Sequence, residues 1–233
     1  MRTALVTGAA SGIGRATAKR LAGNGWRVYA GDVDENGLAS LEGPTTVKMD
    51  VTAEPDCKRV RDRIDANVGG LDCLVVNAGY AQLGPLADLP SECLDAQLSV
   101  NVVGAHRTIA TFLPLLAERV GTIVAVSSTH GRVTTPGLGA YAMSKRALEA
   151  LVETVRMEVE DYDGEVALVE PAWVETGFAD ESERTLDGVE RSEEFADIYD
   201  AMAESVHSRA DIAVSRHSLL CHMPPFTKIL TRY

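Results

Sequence analysis

Short apolar runs alternate with longer stretches of helical periodicity along this chain. Thr3 to Val6, Arg27 to Asp32, Thr46 to Met49, Leu71 to Val76, Gly121 to Ser127 and Glu165 to Val169 each read as a strand. Several are apolar almost throughout, among them Leu71 to Val76 with Asp72 its one polar residue, which suits strands covered on both faces and hence a parallel sheet. Between them, apolar residues recur at helical spacing over Ile13–Ala22, Pro55–Asn67, Ser91–Arg119 and Tyr141–Asp161. Thr52 is the candidate cap of the second of these helices, with Pro55 near its first turn. Pro171 stops the sixth strand. Alternating strand and helix predicts an α/β fold, a doubly wound parallel sheet in the Rossmann manner. No repeat or linker divides it, so 1–233 is expected to be one dinucleotide-binding domain. From 175 to 209 acidic residues dominate, with Phe178, Leu186, Phe195, Ile198 and Tyr199 scattered among them. That stretch is too long for an ordinary connection. It is expected to fold as one or two short helices forming a lid.

Composition narrows the function. The 233 residues carry 45% hydrophobic residues and a formal net charge of -12, which argues against a nucleic-acid partner. No apolar run approaches the ~20 residues of a membrane span, and the N-terminus lacks a signal-peptide pattern. The expectation is a cytoplasmic protein with no membrane partner. Cys57, Cys73, Cys93 and Cys221 form no C-x-x-C pair and read as free thiols. No His and Cys cluster has metal-ligand spacing, so no metal is expected. His130 follows a serine pair and is not expected to edge a pocket.

The chemistry lies in three places. Gly8-Ala-Ala-Ser11-Gly12-Ile13-Gly14 sits between the first strand and first helix. Gly8 permits a tight turn, Gly12 lets the backbone approach a pyrophosphate, and Gly14 permits close helix packing. The helix N-terminus then offers free N–H groups and partial positive charge to phosphates. Asp32 ends the second strand, 18 residues after Gly14. A carboxylate there can accept hydrogen bonds from both adenosine ribose hydroxyls and repel a 2′-phosphate, which favours NAD over NADP. Finally, Tyr141 and Lys145 are four residues apart and share a helix face. A nearby ammonium lowers the pKa of a phenol and fits it for proton transfer with an alcohol oxygen. Ser128, at the end of the fifth strand, can hydrogen-bond that oxygen if its loop folds back.

In order and spacing, Thr7 to Gly14, Asp50-Val51, Asn77-Ala78-Gly79, Asn101, Ser128, Tyr141-x-x-x-Lys145 and Pro171-x-x-Val174-x-Thr176 resemble the short-chain dehydrogenase/reductase family, from Arg2 to about Thr176. The resemblance implies that Tyr141 is the general acid/base and that Lys145 lowers its pKa and holds the nicotinamide ribose. It implies that Ser128 orients the substrate oxygen, while Asn101 holds a relay water. Asp50 and Val51 would meet the adenine, and Asn77, Ala78 and Gly79 would line the cofactor ribose. Pro171, Val174 and Thr176 would fix the carboxamide. It also implies a homodimer or homotetramer through the two long helices. Ala172 replaces the family's usual glycine after Pro171 and is expected to find a compatible backbone. The chain from His217 onward departs from the family pattern, and Phe226 to Tyr233 is the candidate seventh strand. The leading expectation is NAD-dependent hydride transfer with a small secondary alcohol or ketone. The alternatives are an NADPH-dependent carbonyl or 3-oxoacyl reductase, and a non-catalytic dinucleotide-binding regulator.

Overall fold

The computed structural model describes residues 1–159, 164–172, 174 and 177–207. Six parallel strands form one sheet: β1 (Thr3–Thr7), β2 (Arg27–Asp32), β3 (Thr45–Lys48), β4 (Cys73–Val76), β5 (Thr122–Val126) and β6 (Glu165–Val169). Their spatial order is β3-β2-β1-β4-β5-β6. The order reverses between β1 and β4, and it is beyond the carboxyl ends of the strands at such a point that sheets of this kind bind ligands. Register is tight there, with Leu5 opposite Leu74 and Val6 opposite Val75.

The sheet is buried on both faces, as its continuous apolar strands require. Leu5 points into one cluster with Ile64, Phe112, Leu148 and Val152. Ala4 and Val6 point into the opposite cluster with Ala18, Leu21 and Leu38. The first face is covered by α3 (Glu54–Val68), α5 (Ala105–Ala117) and α6 (Gly139–Glu158); α1 (Gly12–Gly23) and α2 (Glu35–Ala39) cover the second.

Three expectations change. Thr52 is not the cap of α3, because Ala53 occupies that position, and the Thr52 hydroxyl donates to Asp50 Oδ1 at 2.7 Å. The run predicted as one helix from Ser91 begins as α4 (Ser91–Leu98) and passes through a π-helical stretch, Ser99–Gly104, before α5. Asn101 lies on that stretch. By length and composition the 27-residue run Ser91–Ala117 would pass for a membrane span, contrary to the expectation that no segment comes close. Here Ile109, Phe112 and Leu116 of the run are buried in the core.

Short helices do form in the 175–209 stretch expected to be a lid. Within it lie α7 (Phe178–Arg184), a short 3-10 turn at Glu193–Phe195 and α8 (Ala196–His207). Hydrogen bonds tie this segment to the loop after β4. Gln82 Nε2 donates to the Thr185 carbonyl at 2.8 Å, and Asp88 Oδ2 accepts from the Ser192 amide, the Ser192 hydroxyl and the Tyr199 hydroxyl at 3.2, 3.1 and 2.9 Å. Trp173, Thr176, Cys221 and the candidate seventh strand lie outside the described residues.

Candidate active site

The glycine turn is shaped by close approach. Gly8 and Gly12 have positive φ, at 65° and 50°, where a side chain would be strained. A Cβ on Gly14 would overlap the Gly8 carbonyl oxygen, so α1 can meet the turn only through glycine. Ser11, the N-cap of α1, makes no side-chain cap bond, and no acidic residue lies in the first turn. Helix N–H groups and positive dipole are therefore left for an anion at the sheet's carboxyl edge, and a dinucleotide pyrophosphate fits this cradle.

Asp32 stands beside the turn. Its Oδ2 accepts from the Ala10 amide at 2.9 Å and its Oδ1 from the Asp34 amide at 3.0 Å. The carboxylate thus fixes the turn as well as offering remaining lone pairs outward. Arg15 Nη1 donates to the carbonyls of Ala10 (3.2 Å) and Gly37 (2.9 Å), so a guanidinium sits at the same end. Asp50 Oδ1 accepts from both the amide and hydroxyl of Thr52, and Val51 is buried.

Asn77 joins the ends of β1 and β4. Its Nδ2 donates to the carbonyls of Thr7 (3.0 Å) and Gly8 (3.1 Å). The Thr7 hydroxyl accepts from the amides of Asn77 and Ala78 at 3.0 and 3.1 Å. Gly79 leaves room for Asn101, since a Cβ there would lie 2.9 Å from Asn101 Oδ1. Asn101 is buried and fully engaged as a donor: Nδ2 gives hydrogens to the Tyr80 carbonyl (2.9 Å) and Ser144 Oγ (3.0 Å). Its Oδ1 accepts from the Tyr80 amide at 3.1 Å.

The third group assembles as the residue spacing predicts. Ser128 follows β5, whose end is secured by the Ser127 amide donating to Val169 (2.7 Å) and the Thr129 amide donating to Pro171 (3.1 Å). The loop does fold back, and the Ser128 hydroxyl comes near enough to the Tyr141 phenol to act against the rise in its pKa. Tyr141 and Lys145 lie in the first two turns of α6, both buried. Lys145 Nζ donates to the Val126 carbonyl at 2.9 Å and lies 5.6 Å from the centre of the Tyr141 ring.

The electrostatics correct one expectation. Burial pushes the Tyr141 phenol above its ordinary value, with the Ser128 hydroxyl working against it; the lowering expected from Lys145 does not prevail. The Lys145 amine is itself pushed down to about 8 by burial, opposed by the charge of Glu149. An amine held at that value exchanges its proton near neutral pH, which suits a relay.

His130 is a second correction. Its ring centre lies 5.8 Å from that of Tyr141, and its Nδ1 is 3.5 Å from Ser128 Oγ. Phe178, from α7, is 5.8 Å from Tyr141 at a tilt of 55°. Tyr141 is thus flanked by His130 and by Phe178 of α7. The signal for His130 was its place two residues after Ser128, where a 3-10 turn (Thr129–Gly131) swings the side chain back. Ala172 meets no left-handed strain, because Val120 alone among the described non-glycine residues has positive φ. Val174 is partly exposed after β6, and Thr176 lies outside the described residues. Among the described residues no group of His, Cys, Asp and Glu is arranged to hold a metal.

Comparison with known proteins agrees with this geometry. Residues 2–187 match the model of the short chain dehydrogenase family. The chain is 36% identical over 188 residues to the uncharacterized oxidoreductase YbbO of Escherichia coli K12, covering 79% of this chain and 70% of that protein. It is 35% identical over 188 residues to an NADPH-dependent 3-dehydrocapnine reductase of Ornithobacterium rhinotracheale, covering 76% and 66%. A short chain dehydrogenase/reductase from Burkholderia phymatum, solved in complex with NAD, superposes with a TM-score of 0.78 at 28% identity, covering 89% of this chain and 79% of that one. The chain belongs to the short-chain dehydrogenase/reductase family and is an NAD(P)-dependent oxidoreductase acting on CH–OH groups.

Proposed function

We propose that the protein moves a hydride between NAD and a small, moderately apolar secondary alcohol or ketone. The observation that carries this reading is the Ser128–Tyr141–Lys145 cluster at the carboxyl edge of the sheet, beside the glycine turn. When bound, the nicotinamide supplies the hydride acceptor or donor. Tyr141 exchanges the proton of the substrate oxygen, and Ser128 holds that oxygen against the phenol. Lys145 passes the proton on and binds the ribose hydroxyls. Asn101 enters the relay only as an acceptor, since both its amide hydrogens are committed. Phe178 and the lid close the apolar side of the pocket and exclude water.

Asp32 supports NAD, because its carboxylate would oppose a 2′-phosphate. Arg15 supports the second reading, an NADPH-dependent carbonyl or 3-oxoacyl reductase, because its guanidinium reaches the same end of the turn. The test is a fluorescence titration with NADH and NADPH, followed by turnover on an alcohol panel by wild type and Tyr141→Phe. The NAD reading expects tight NADH, weak NADPH, and a Tyr141→Phe variant that binds cofactor without turnover. NADPH-favouring binding would replace it with the second reading. Undiminished turnover in Tyr141→Phe would remove the assignment of the general acid/base.

We also expect a homodimer or homotetramer built on the α4–α5 and α6 helices, acting in the cytoplasm. Val103 and Met143, large apolar residues on these segments, are exposed in the isolated chain. A monomeric mass in light scattering at working concentration would contradict the assembly.

A further inference from the structure

One buried charge beside the cluster has no part in the steps above. Glu149 stands one turn beyond Lys145 on α6, as Lys145 stands one turn beyond Tyr141. It is 6% exposed. An ionised carboxylate is held in such a place only by compensating donors and cations. Its Oε1 accepts from the Ser127 hydroxyl at 2.8 Å, and its Oε2 lies 3.2 Å from Arg132 Nε. Gly131 closes over it so nearly that a Cβ there would overlap Oε1. Ser127, Gly131 and Arg132 bracket Ser128 and His130, so the whole turn after β5 wraps around this one carboxylate. Lys145 meanwhile donates to Val126, the residue before Ser127. Two consecutive residues at the end of β5 are therefore held by two consecutive turns of α6, one through a cation and one through an anion.

We propose that Glu149 is a positioning residue for proton transfer, whose carboxylate stands one helical turn from Lys145 and clamps the Ser128-bearing turn to α6. The inference rests on the function proposed above, in which Lys145 and Tyr141 work as a pair. The groups that bear on Glu149 are Lys145 on its own helix, Arg132 on the wrapped turn and Glu170 after β6. Glu153 bears on Arg132, while Tyr141 and His130 lie towards the substrate side of Lys145. Glu149 is the charged group that opposes the effect of burial on Lys145. Its removal lets the amine lose its proton at lower pH. In ketone reduction the working form pairs a protonated phenol with a charged lysine. The rate then falls as pH rises through the Lys145 pKa.

The test compares wild type, Glu149→Gln and Glu149→Asp. The alkaline limb of kcat for ketone reduction should move to lower pH by about half a unit or more in Glu149→Gln. It should return towards wild type in Glu149→Asp, which restores the charge. A merely structural role would lower kcat at every pH and leave the limb in place, and that outcome would overturn the proposal. The second readout needs no turnover: an NMR titration of Lys145 ¹⁵Nζ in the purified protein. The chain has five lysines, which makes the signal assignable. Lys145 should titrate lower in Glu149→Gln, and its wild-type curve should show a second inflection as Glu149 titrates. An unchanged Lys145 curve in the variant, or a single-step curve in wild type should the variant not fold, sinks the inference. Absence of turnover in wild type with the NMR coupling intact would instead count against the proposed function.

Discussion

At the scale of single residues, the site is set by which groups have partners to spare. Ser128 is buried where its own turn returns it towards Tyr141, and the His130 amide donates to its hydroxyl at 3.2 Å. Replacing it with alanine removes an oriented donor from a dry site. Ser128→Ala should lose about a hundredfold or more in kcat, with cofactor affinity retained, as steady-state kinetics would read. Asp32 has a double role that complicates its substitution. Besides the adenosine contact proposed for it, it accepts the amides of Ala10 and Asp34. Asp32→Ala should therefore weaken NADH binding by about tenfold or more, ~1.4 kcal/mol, and NADPH binding by less, because the variant loosens the turn for both but relieves repulsion only for the phosphorylated cofactor. Equal losses for the two cofactors in the titration would mean that Asp32 serves the turn alone.

At the scale of elements, backbone strain marks a place where the chain is not optimised. After α5 the chain turns sharply into β5, and Val120 takes φ 50° while 57% exposed. A β-branched residue is ill suited to the left-handed region, where glycine is free of the Cβ clash. Val120→Gly should raise stability by up to about 1 kcal/mol, offset in part by the greater freedom of glycine in the unfolded chain. That corresponds to roughly 2–4 °C in the unfolding midpoint of a protein this size. An unchanged or lower midpoint would show that Val120's packing outweighs its strain. The π-helical stretch at Asn101 is the contrasting case. It interrupts a regular helix to set one amide between Tyr80 and Ser144, whose hydroxyl in turn donates to the Tyr141 carbonyl at 2.7 Å.

At the scale of the whole molecule, the α7–α8 segment is joined to the loop after β4 by a small polar latch. Tyr199 donates to Asp88, and Arg191 lies over the Tyr199 ring with its guanidinium carbon 5.2 Å from the ring centre. Burial, then the bond and charge of Asp88, raise the Tyr199 phenol to about 12. Asp88 sits below the ordinary aspartate value: burial alone would raise it, but its bonds from Ser192 and Tyr199 prevail. The signs define a window. Stability from a lowered carboxylate is present above its unfolded pKa and is lost as pH falls through the folded value. Stability from a raised phenol is present below its unfolded pKa, near ~10, and is lost as pH rises through about 12. The latch should hold from mild acid to about pH 10. Tyr199→Phe should speed proteolytic cleavage within the lid inside that window and raise KM more than it lowers kcat. Identical cleavage rates in variant and wild type would show that Gln82 and Thr185 hold the lid without it.

How much of this was legible in the chain divides along physical lines. Periodicity determined the strands and helices, because a sheet buried on both faces must be built from continuously apolar runs, and the strand–glycine–helix order located the phosphate cradle. Spacing alone put Tyr141 and Lys145 on one helix face. Local pattern could not show the π-helical turn at Asn101, the return of His130 onto Tyr141, or the latch of Asp88 on Tyr199. These depend on segments distant in sequence, as with the 111 positions between the latch partners. Nor could it show that burial would raise the Tyr141 phenol, since desolvation depends on everything packed around a group. Glu149 makes the division plain. On the sequence it is an acidic residue in an ordinary helix. Only the tertiary structure, by folding Ser127, Gly131 and Arg132 around it, makes it a buried charge one turn from Lys145.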